Sequence, residues 1–114
     1  MTREQINEFL TILKELMEKK FIFVPRRKNM ESLEKLALLP AHIKELVMHL
    51  TIENYCDGPH PDHQGVGEIW VFGIEIDGKN IYLKLKVDIE NEIARCISFH
   101  EAEFVINYPM KEVA

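Results

Sequence analysis

The first twenty residues carry apolar side chains at the spacing of an amphipathic helix. Apolar positions recur every three or four residues, which places them along a single stripe. The stripe comprises Ile6, Phe9, Leu10, Leu13, Leu16 and Met17. Thr2 and Gln5 have the spacing of a capping box, which satisfies free N–H groups at a helix start. The pattern therefore predicts a helix over Thr2–Lys20 that buries one face.

Shorter elements are predicted after this helix. The apolar run Phe21–Val24 indicates a brief strand or a buried extended segment. Asn29 is expected to cap a second helix over Met30–Leu38, because its side chain can accept a hydrogen bond from a free helical N–H. Pro40 fits the first turn of a third helix over Ala41–Leu50. The first half of the chain is thus predicted to be mainly helical.

Two stretches of the second half lack a regular pattern. Tyr55–Gly67 contains three glycines and two prolines. It predicts a long loop, of the kind that often carries function. The last stretch, Glu101–Ala114, predicts a short helix or a final strand.

The region between Gly67 and His100 alternates apolar and polar residues, which predicts three antiparallel strands. The dipeptide Asp77-Gly78 marks a tight hairpin turn. A two-residue turn there pairs apolar side chains on one face, namely Trp70 with Leu85, Phe72 with Leu83 and Ile74 with Ile81. The helices must cover this face. The sequence therefore predicts an α+β fold, a single domain over residues 1–114 with N-terminal helices packed on one face of an antiparallel sheet of three or more strands.

The other face of these strands is polar, and it is the surface where we expect function. Its residues are Tyr82, Lys84, Lys86, Ser98 and His100. A second turn near residues 90–91 would place Ser98 beside Tyr82 and His100 diagonal to it. Gly73 would leave space over the tyrosine ring. Lysines around a tyrosine and a histidine suit a phosphate-bearing substrate, although alternating lysines also occur on any strand that faces water.

Charge and composition narrow the candidate functions. The net charge of −5 argues against non-specific gripping of nucleic acid, which needs many phosphate contacts. The net charge still allows a small basic site on the surface of an acidic protein, and the basic cluster Arg26, Arg27 and Lys28 would extend that site. With 46% apolar and 29% charged residues, the chain has the composition of a globular domain. No apolar run reaches 18 residues, so no membrane partner is expected.

Localisation follows from two further features of the sequence. The N-terminus lacks the apolar core of a signal peptide. The two cysteines, Cys56 and Cys96, have no spacing motif, which fits a reducing compartment. Both features predict a cytoplasmic protein.

Two alternatives to a phosphate-binding catalytic face stay open. Cys56, His60 and His63 have the residue types and proximity of zinc ligands, which would make this a small zinc-binding protein. The open sheet face could instead dock a partner chain without catalysis.

Four short segments give the chain a family resemblance. They are YCDGP at 55–59, IWVFG at 69–73, IYLK at 81–84 and CISFH at 96–100. Together they resemble the MqsR (motility quorum-sensing regulator) family of toxins, over roughly residues 50–109. The resemblance implies a RelE-like fold and the toxin component of a bacterial type II toxin–antitoxin pair. It also implies an endoribonuclease, an mRNA interferase, without a cofactor. The implied partners are RNA, as free or ribosome-bound mRNA, and a cognate antitoxin protein.

The resemblance assigns catalytic roles residue by residue. The family's active-site tyrosine falls on Tyr82. His100 stands where the family has a lysine after a Ser-Phe pair, and Asp57 where it has another lysine. The family's glutamine falls near Ile69, with Glu68 adjacent. Such a metal-free ribonuclease makes the RNA 2′-hydroxyl attack its own phosphate, which needs an acid, a base and cations. We expect Tyr82 and His100 to be catalytic, and the substrate-binding residues to be Lys84, Lys86, Ser98, Arg26 and Arg27.

Overall fold

A computed structural model describes residues 1–111 of the chain. Three helices precede most of the sheet: α1 (Arg3–Lys19), α2 (Arg27–Leu36) and α3 (Pro40–Met48), followed by a short 3-10 helix (Ile52–Asn54). The five strands are β1 (Phe21–Phe23), β2 (Tyr55–Pro61), β3 (Glu68–Ile76), β4 (Lys79–Asp88) and β5 (Ile93–Glu101). The predicted α+β class is confirmed.

The N-terminal helix forms where the apolar stripe predicted it. All six stripe residues are buried. The capping box is also present: the Gln5 backbone N–H donates to Thr2 Oγ1 at 3.2 Å, and the Thr2 N–H donates to Gln5 Oε1 at 3.0 Å. The third helix starts at Pro40, where a missing N–H loses no hydrogen bond.

The sheet has the strand order β1-β5-β4-β3-β2. The three predicted strands are antiparallel, as expected, but β1 joins β5 in parallel and makes the sheet mixed. The short apolar run after α1 is therefore a true edge strand. The helices pack on one face, where Phe9 stacks on Trp70 with ring centroids 4.3 Å apart. Phe72, Leu83 and Phe99 are fully buried there.

The register of the β3–β4 hairpin is the predicted one, with Gly73 opposite Tyr82 and Ile74 opposite Ile81. The register of β4 and β5 differs from the prediction. Tyr82 lies opposite His100 rather than Ser98, and Ser98 lies opposite Lys84. A β-bulge at Ile97 then changes the register again further along.

The bulge has a physical reason in the side chains that follow it. Without it, the register of Tyr82 and His100 would continue along the strand and place Ile97 opposite Leu85 and Arg95 opposite Val87, which packs against the core. One extra residue turns the strand, so that the fully buried Cys96 lies opposite Leu85 and Arg95 lies opposite Lys86. Ile97, predicted to be a core residue under the helices, instead lines the open face.

Asn29 is not the cap that was predicted. The second helix begins earlier, at Arg27, and Asn29 lies inside it with 1% of its surface exposed. Its Nδ2 donates to the carbonyls of Val24 and Ile97, both at 2.8 Å, and its Oδ1 accepts from the Phe99 N–H at 3.0 Å. A buried polar group needs such partners. Asn29 therefore ties the helix layer to the bulged strand.

The predicted loop over residues 55–67 is partly wrong. Its first seven residues form the edge strand β2, and only residues 62–67 form a loop. Pro59 and Pro61 are compatible with an edge strand, where a missing donor breaks no ladder. Gly58, at φ 97°, adopts a backbone that other residues avoid. The pairing of β2 with β3 is irregular.

The predicted final helix or strand is also absent from the described residues. Residues 102–111 form an irregular segment that returns across the open sheet face, and residues 112–114 lie outside the described part. A Cβ at Gly73 would lie 2.7 Å from the Tyr108 hydroxyl oxygen. The space that Gly73 was expected to leave over Tyr82 is thus filled by Tyr108.

Candidate functional site

Tyr82 and His100 form the centre of the open face. They are direct neighbours on β4 and β5, and their rings stack with centroids 5.5 Å apart and planes 25° apart. The sequence predicted a diagonal contact, and the two-residue shift in register makes it a direct one. Both side chains are partly exposed. The predicted catalytic pair is therefore close enough to act on one substrate group.

Lys84 extends this centre along β4. Its Nζ lies 5.8 Å from the Tyr82 ring centroid, within the range of a cation–π interaction. Within residues 1–111 its ammonium makes no salt bridge. Its charge is therefore available to an anionic ligand.

The surroundings of Tyr82 keep its hydroxyl protonated. Burial raises the pKa of Tyr82 above its ordinary value, and the negative charge of Asp57 raises that pKa further. Each of these effects disfavours the tyrosinate. The hydroxyl is thus suited to donate a hydrogen bond rather than to act as a base at neutral pH.

Two cavities flank this centre and share Val71, Tyr82 and Lys84 as a common wall. The first, which we call the tail cavity, has a volume of about 540 Å³ and is closed on one side by residues 102–107. The second, the basic cavity, has a volume of about 620 Å³ and reaches the loop at residues 62–64. Both volumes fall in the usual range of ligand sites.

The basic cavity concentrates positive charge on an acidic protein. Its cationic lining residues are Arg26, Lys84, Lys86 and Arg95, against the single carboxylate of Asp62. Lys86 Nζ is only 2.6 Å from Asp62 Oδ2, so this pair is neutralised internally. Arg95 is 3.6 Å from Asp88, and Arg26 donates to the neutral Gln64 side chain at 3.4 Å. Arg26 and Lys84 are therefore the cations best placed to meet a phosphate.

The tail cavity has balanced charge. Lys28 and Lys84 line it together with Asp57 and Glu103, and His100 also lines it. Lys28 Nζ is 2.7 Å from Glu103 Oε1, and this hydrogen bond lowers the pKa of Glu103. This contact ties the irregular segment to the second helix. A neutral ligand group fits this cavity better than a phosphate.

Not every predicted residue reaches the site. Arg27 pairs with Glu31 at 3.0 Å, has a side chain 93% exposed and lines neither cavity. Ser98 shares the register of Lys84 but is buried and also lines neither cavity. Glu103 was not predicted as a binding residue, whereas Lys28 was predicted only as part of the basic cluster with Arg26 and Arg27, and Asp57 only as the position of a family lysine. No local pattern indicated that the C-terminal segment would fold back over the sheet.

The geometry does not support the zinc alternative. His60 Nε2 contacts Asp57 Oδ2 at 2.9 Å, and the Cys56 thiol donates to the Asn54 carbonyl at 3.5 Å. Burial raises the pKa of Cys56 to about 12, which disfavours the thiolate that a metal needs. Residues 1–111 contain no cluster of three His, Cys, Asp or Glu side chains that could hold a metal ion, so Cys56, His60 and His63 do not converge there.

Comparisons with known proteins add no relative. No protein-family model, curated protein or solved structure matches the chain. Among the described residues, no helix is long and apolar enough to cross a membrane. The case for function therefore rests on the site itself and on the motifs in the sequence.

Proposed function

We propose that the protein is a metal-free endoribonuclease that acts as the toxin of a type II toxin–antitoxin pair. The observation that carries the proposal is the stacked Tyr82–His100 pair beside Lys84, which makes no salt bridge with residues 1–111, on the face that the helices leave open. The basic cavity next to it supplies the local positive charge that an acidic protein needs to hold a phosphate. The MqsR-like and RelE-like resemblance supports the same reading.

The roles follow from the chemistry of each side chain. His100 takes the proton from the RNA 2′-hydroxyl, because histidine as a residue type exchanges protons near neutrality. The oxygen then attacks the adjacent phosphorus, and the bond to the 5′-oxygen breaks. Lys84 neutralises the charge on the phosphorane, and Tyr82 donates a hydrogen bond to a phosphate oxygen. Water protonates the departing 5′-oxygen, so the products are a 2′,3′-cyclic phosphate and a 5′-hydroxyl.

Cleavage of a mixed-sequence RNA by purified protein in the presence of a metal chelator tests this proposal. We expect the wild type to cleave and His100→Ala to be at least ~100-fold slower, since a general base contributes about 10²–10⁴-fold. Tyr82→Phe should also be slower. His49→Ala is the matched control, because His49 is an exposed histidine on the helix side. Equal cleavage by the wild type, Tyr82→Phe and His100→Ala would reject the assignment.

The toxin role has its own test in cells. Induced expression of the wild type should arrest growth, and expression of His100→Ala should not. Cys56 and Cys96 are both free thiols, which is compatible with action in the reducing cytoplasm. Normal growth on expression of active wild type would leave a ribonuclease that is not a toxin.

The edge strands make a purely docking function less favourable. β2 is an edge of the sheet, which is where a partner strand could add. However, Pro59 and Pro61 remove two backbone donors from this edge, a common way to prevent such pairing. A partner antitoxin would then bind mainly through side chains.

A further inference from the structure

We infer that the tail cavity is a nucleobase subsite and that residues 103–107 determine which base it accepts. The inference rests on the proposed ribonuclease function and adds a substrate-reading element to it. The two cavities that share Tyr82 and Lys84 differ in charge. The basic cavity holds four cationic side chains and one carboxylate, whereas the tail cavity holds two of each sign. A nucleotide crossing the shared wall would leave phosphate on the basic side and its neutral base on the tail side.

Residues 102–107 form one wall of the tail cavity. Phe104 and Val105 line the tail cavity, yet they are 84% and 90% exposed. Two adjacent exposed apolar side chains on the wall of a cavity offer a ligand a contiguous apolar surface, a feature of ligand-binding grooves. An aromatic ring at such a site can stack on any of the bases, because every base has a π-face.

The backbone of this wall is open to a ligand. Within the described part of the chain, the backbone groups of residues 103–107 make no hydrogen bond to other backbone groups. The segment is nevertheless anchored on both sides, through Lys28 to Glu103 at 2.7 Å and through Tyr108 to Asn80 at 3.1 Å. Anchored N–H and C=O groups without backbone partners can read the edge of a base, because single-stranded bases expose their hydrogen-bonding edges.

The decisive experiment uses 2′-fluoro RNA octamers, which lack the attacking hydroxyl and so report binding alone. An abasic nucleotide is stepped through the octamer, and affinity is measured by fluorescence anisotropy. For the wild type we expect one position at which loss of the base weakens binding about tenfold or more. In Phe104→Ala the intact octamer should bind correspondingly weaker, and the abasic substitution at that position should no longer matter.

Two further variants separate base reading from phosphate binding. Arg26→Ala should weaken all octamers by a similar factor and lower the salt slope by about one, as loss of a phosphate contact does. Ile89→Ala is the control for Phe104→Ala, since Ile89 is 65% exposed and lines neither cavity. It should bind as the wild type does.

The outcomes distinguish this inference from the function on which it rests. If the wild type binds and cleaves RNA but Phe104→Ala keeps the same affinity and abasic profile, the nucleobase subsite is wrong and the ribonuclease remains. If the wild type neither binds the octamers nor cleaves RNA, both fall together.

Discussion

The two faces of strand β4 differ in what their side chains do. Ile81, Leu83 and Leu85 point to the helix layer and are at most 1% exposed. The alternate residues Tyr82 and Lys84 point to the open face and line both cavities. The period of two in a strand separates stability from chemistry within one segment. Substitutions on the two faces should therefore fail in different ways.

The largest expected effect tests this separation directly. Leu83→Ala removes a fully buried side chain from the core and should lower the free energy of unfolding by about 2–5 kcal/mol. Lys84→Ala, one residue away, should lower it by less than about 1 kcal/mol while reducing RNA cleavage. Urea unfolding followed by circular dichroism measures the first quantity. Equal losses of stability in the two variants would show that the two faces of β4 do not separate stability from chemistry.

Asn29 should have a smaller but still large effect, because it connects the two layers. Asn29→Ala removes three hydrogen bonds and leaves the Ile97 carbonyl and the Phe99 N–H without their partner. We expect a loss of about 2–3 kcal/mol, since an unsatisfied buried group costs about 1–3 kcal/mol. The variant should also slow RNA cleavage, because the bulge sets the register that brings His100 opposite Tyr82.

The control for Asn29 is Asn7→Ala on the exposed side of α1, which should change neither stability nor cleavage appreciably. If Asn29→Ala destabilises the fold but its folded fraction cleaves RNA normally, the bulge is not what positions His100.

The N-terminal helix and the first hairpin of the sheet could be predicted from the sequence because their signals are local. The stripe from Ile6 to Met17 and the Asp77-Gly78 turn depend only on neighbours in the chain, and both were confirmed. The predicted register of β5 against β4 was wrong, because this register depends on a residue that is distant in the sequence. No pattern near Ile97 indicates that Asn29, 68 positions earlier, will satisfy a bulge there.

The site was predicted in part for the same reason. Tyr82 and Lys84 lie on one face because strand alternation places them there, and His100 stays on that face because the observed register differs from the predicted one by two residues. The tail cavity could not be predicted, because its wall has no periodicity. Its position depends on Tyr108 filling the space above Gly73 and on Lys28 meeting Glu103. The basic cluster of Arg26, Arg27 and Lys28 was informative only in part, since Arg26 and Lys28 each line a cavity and Arg27 lines neither.

The smallest expected effect concerns the ion pair of Asp62 and Lys86 on the open face. The hydrogen bond from Lys86 lowers the pKa of Asp62, with help from the Gln64 N–H. A carboxyl with a lowered pKa in the folded state stabilises the fold above its unfolded pKa of ~3.9. This contribution is lost as the pH falls through the lower folded value. The urea midpoint of the wild type should therefore fall more steeply below pH ~4 than that of Asp62→Asn.

Asp77→Asn is the control for this pH dependence, because Asp77 makes no salt bridge within residues 1–111. It should keep the wild-type steepness. Asp62→Asn should also free Lys86 and strengthen binding of the 2′-fluoro octamers, with a larger salt slope. A variant that loses the acid sensitivity but gains no affinity would show that Lys86 serves only the fold. The open face would then use Lys84 and Arg26 alone to bind phosphate. Because Lys86 would contribute to stability although it lies on the open face, the two faces of β4 would be less fully separated into chemistry and stability than strand alternation suggests.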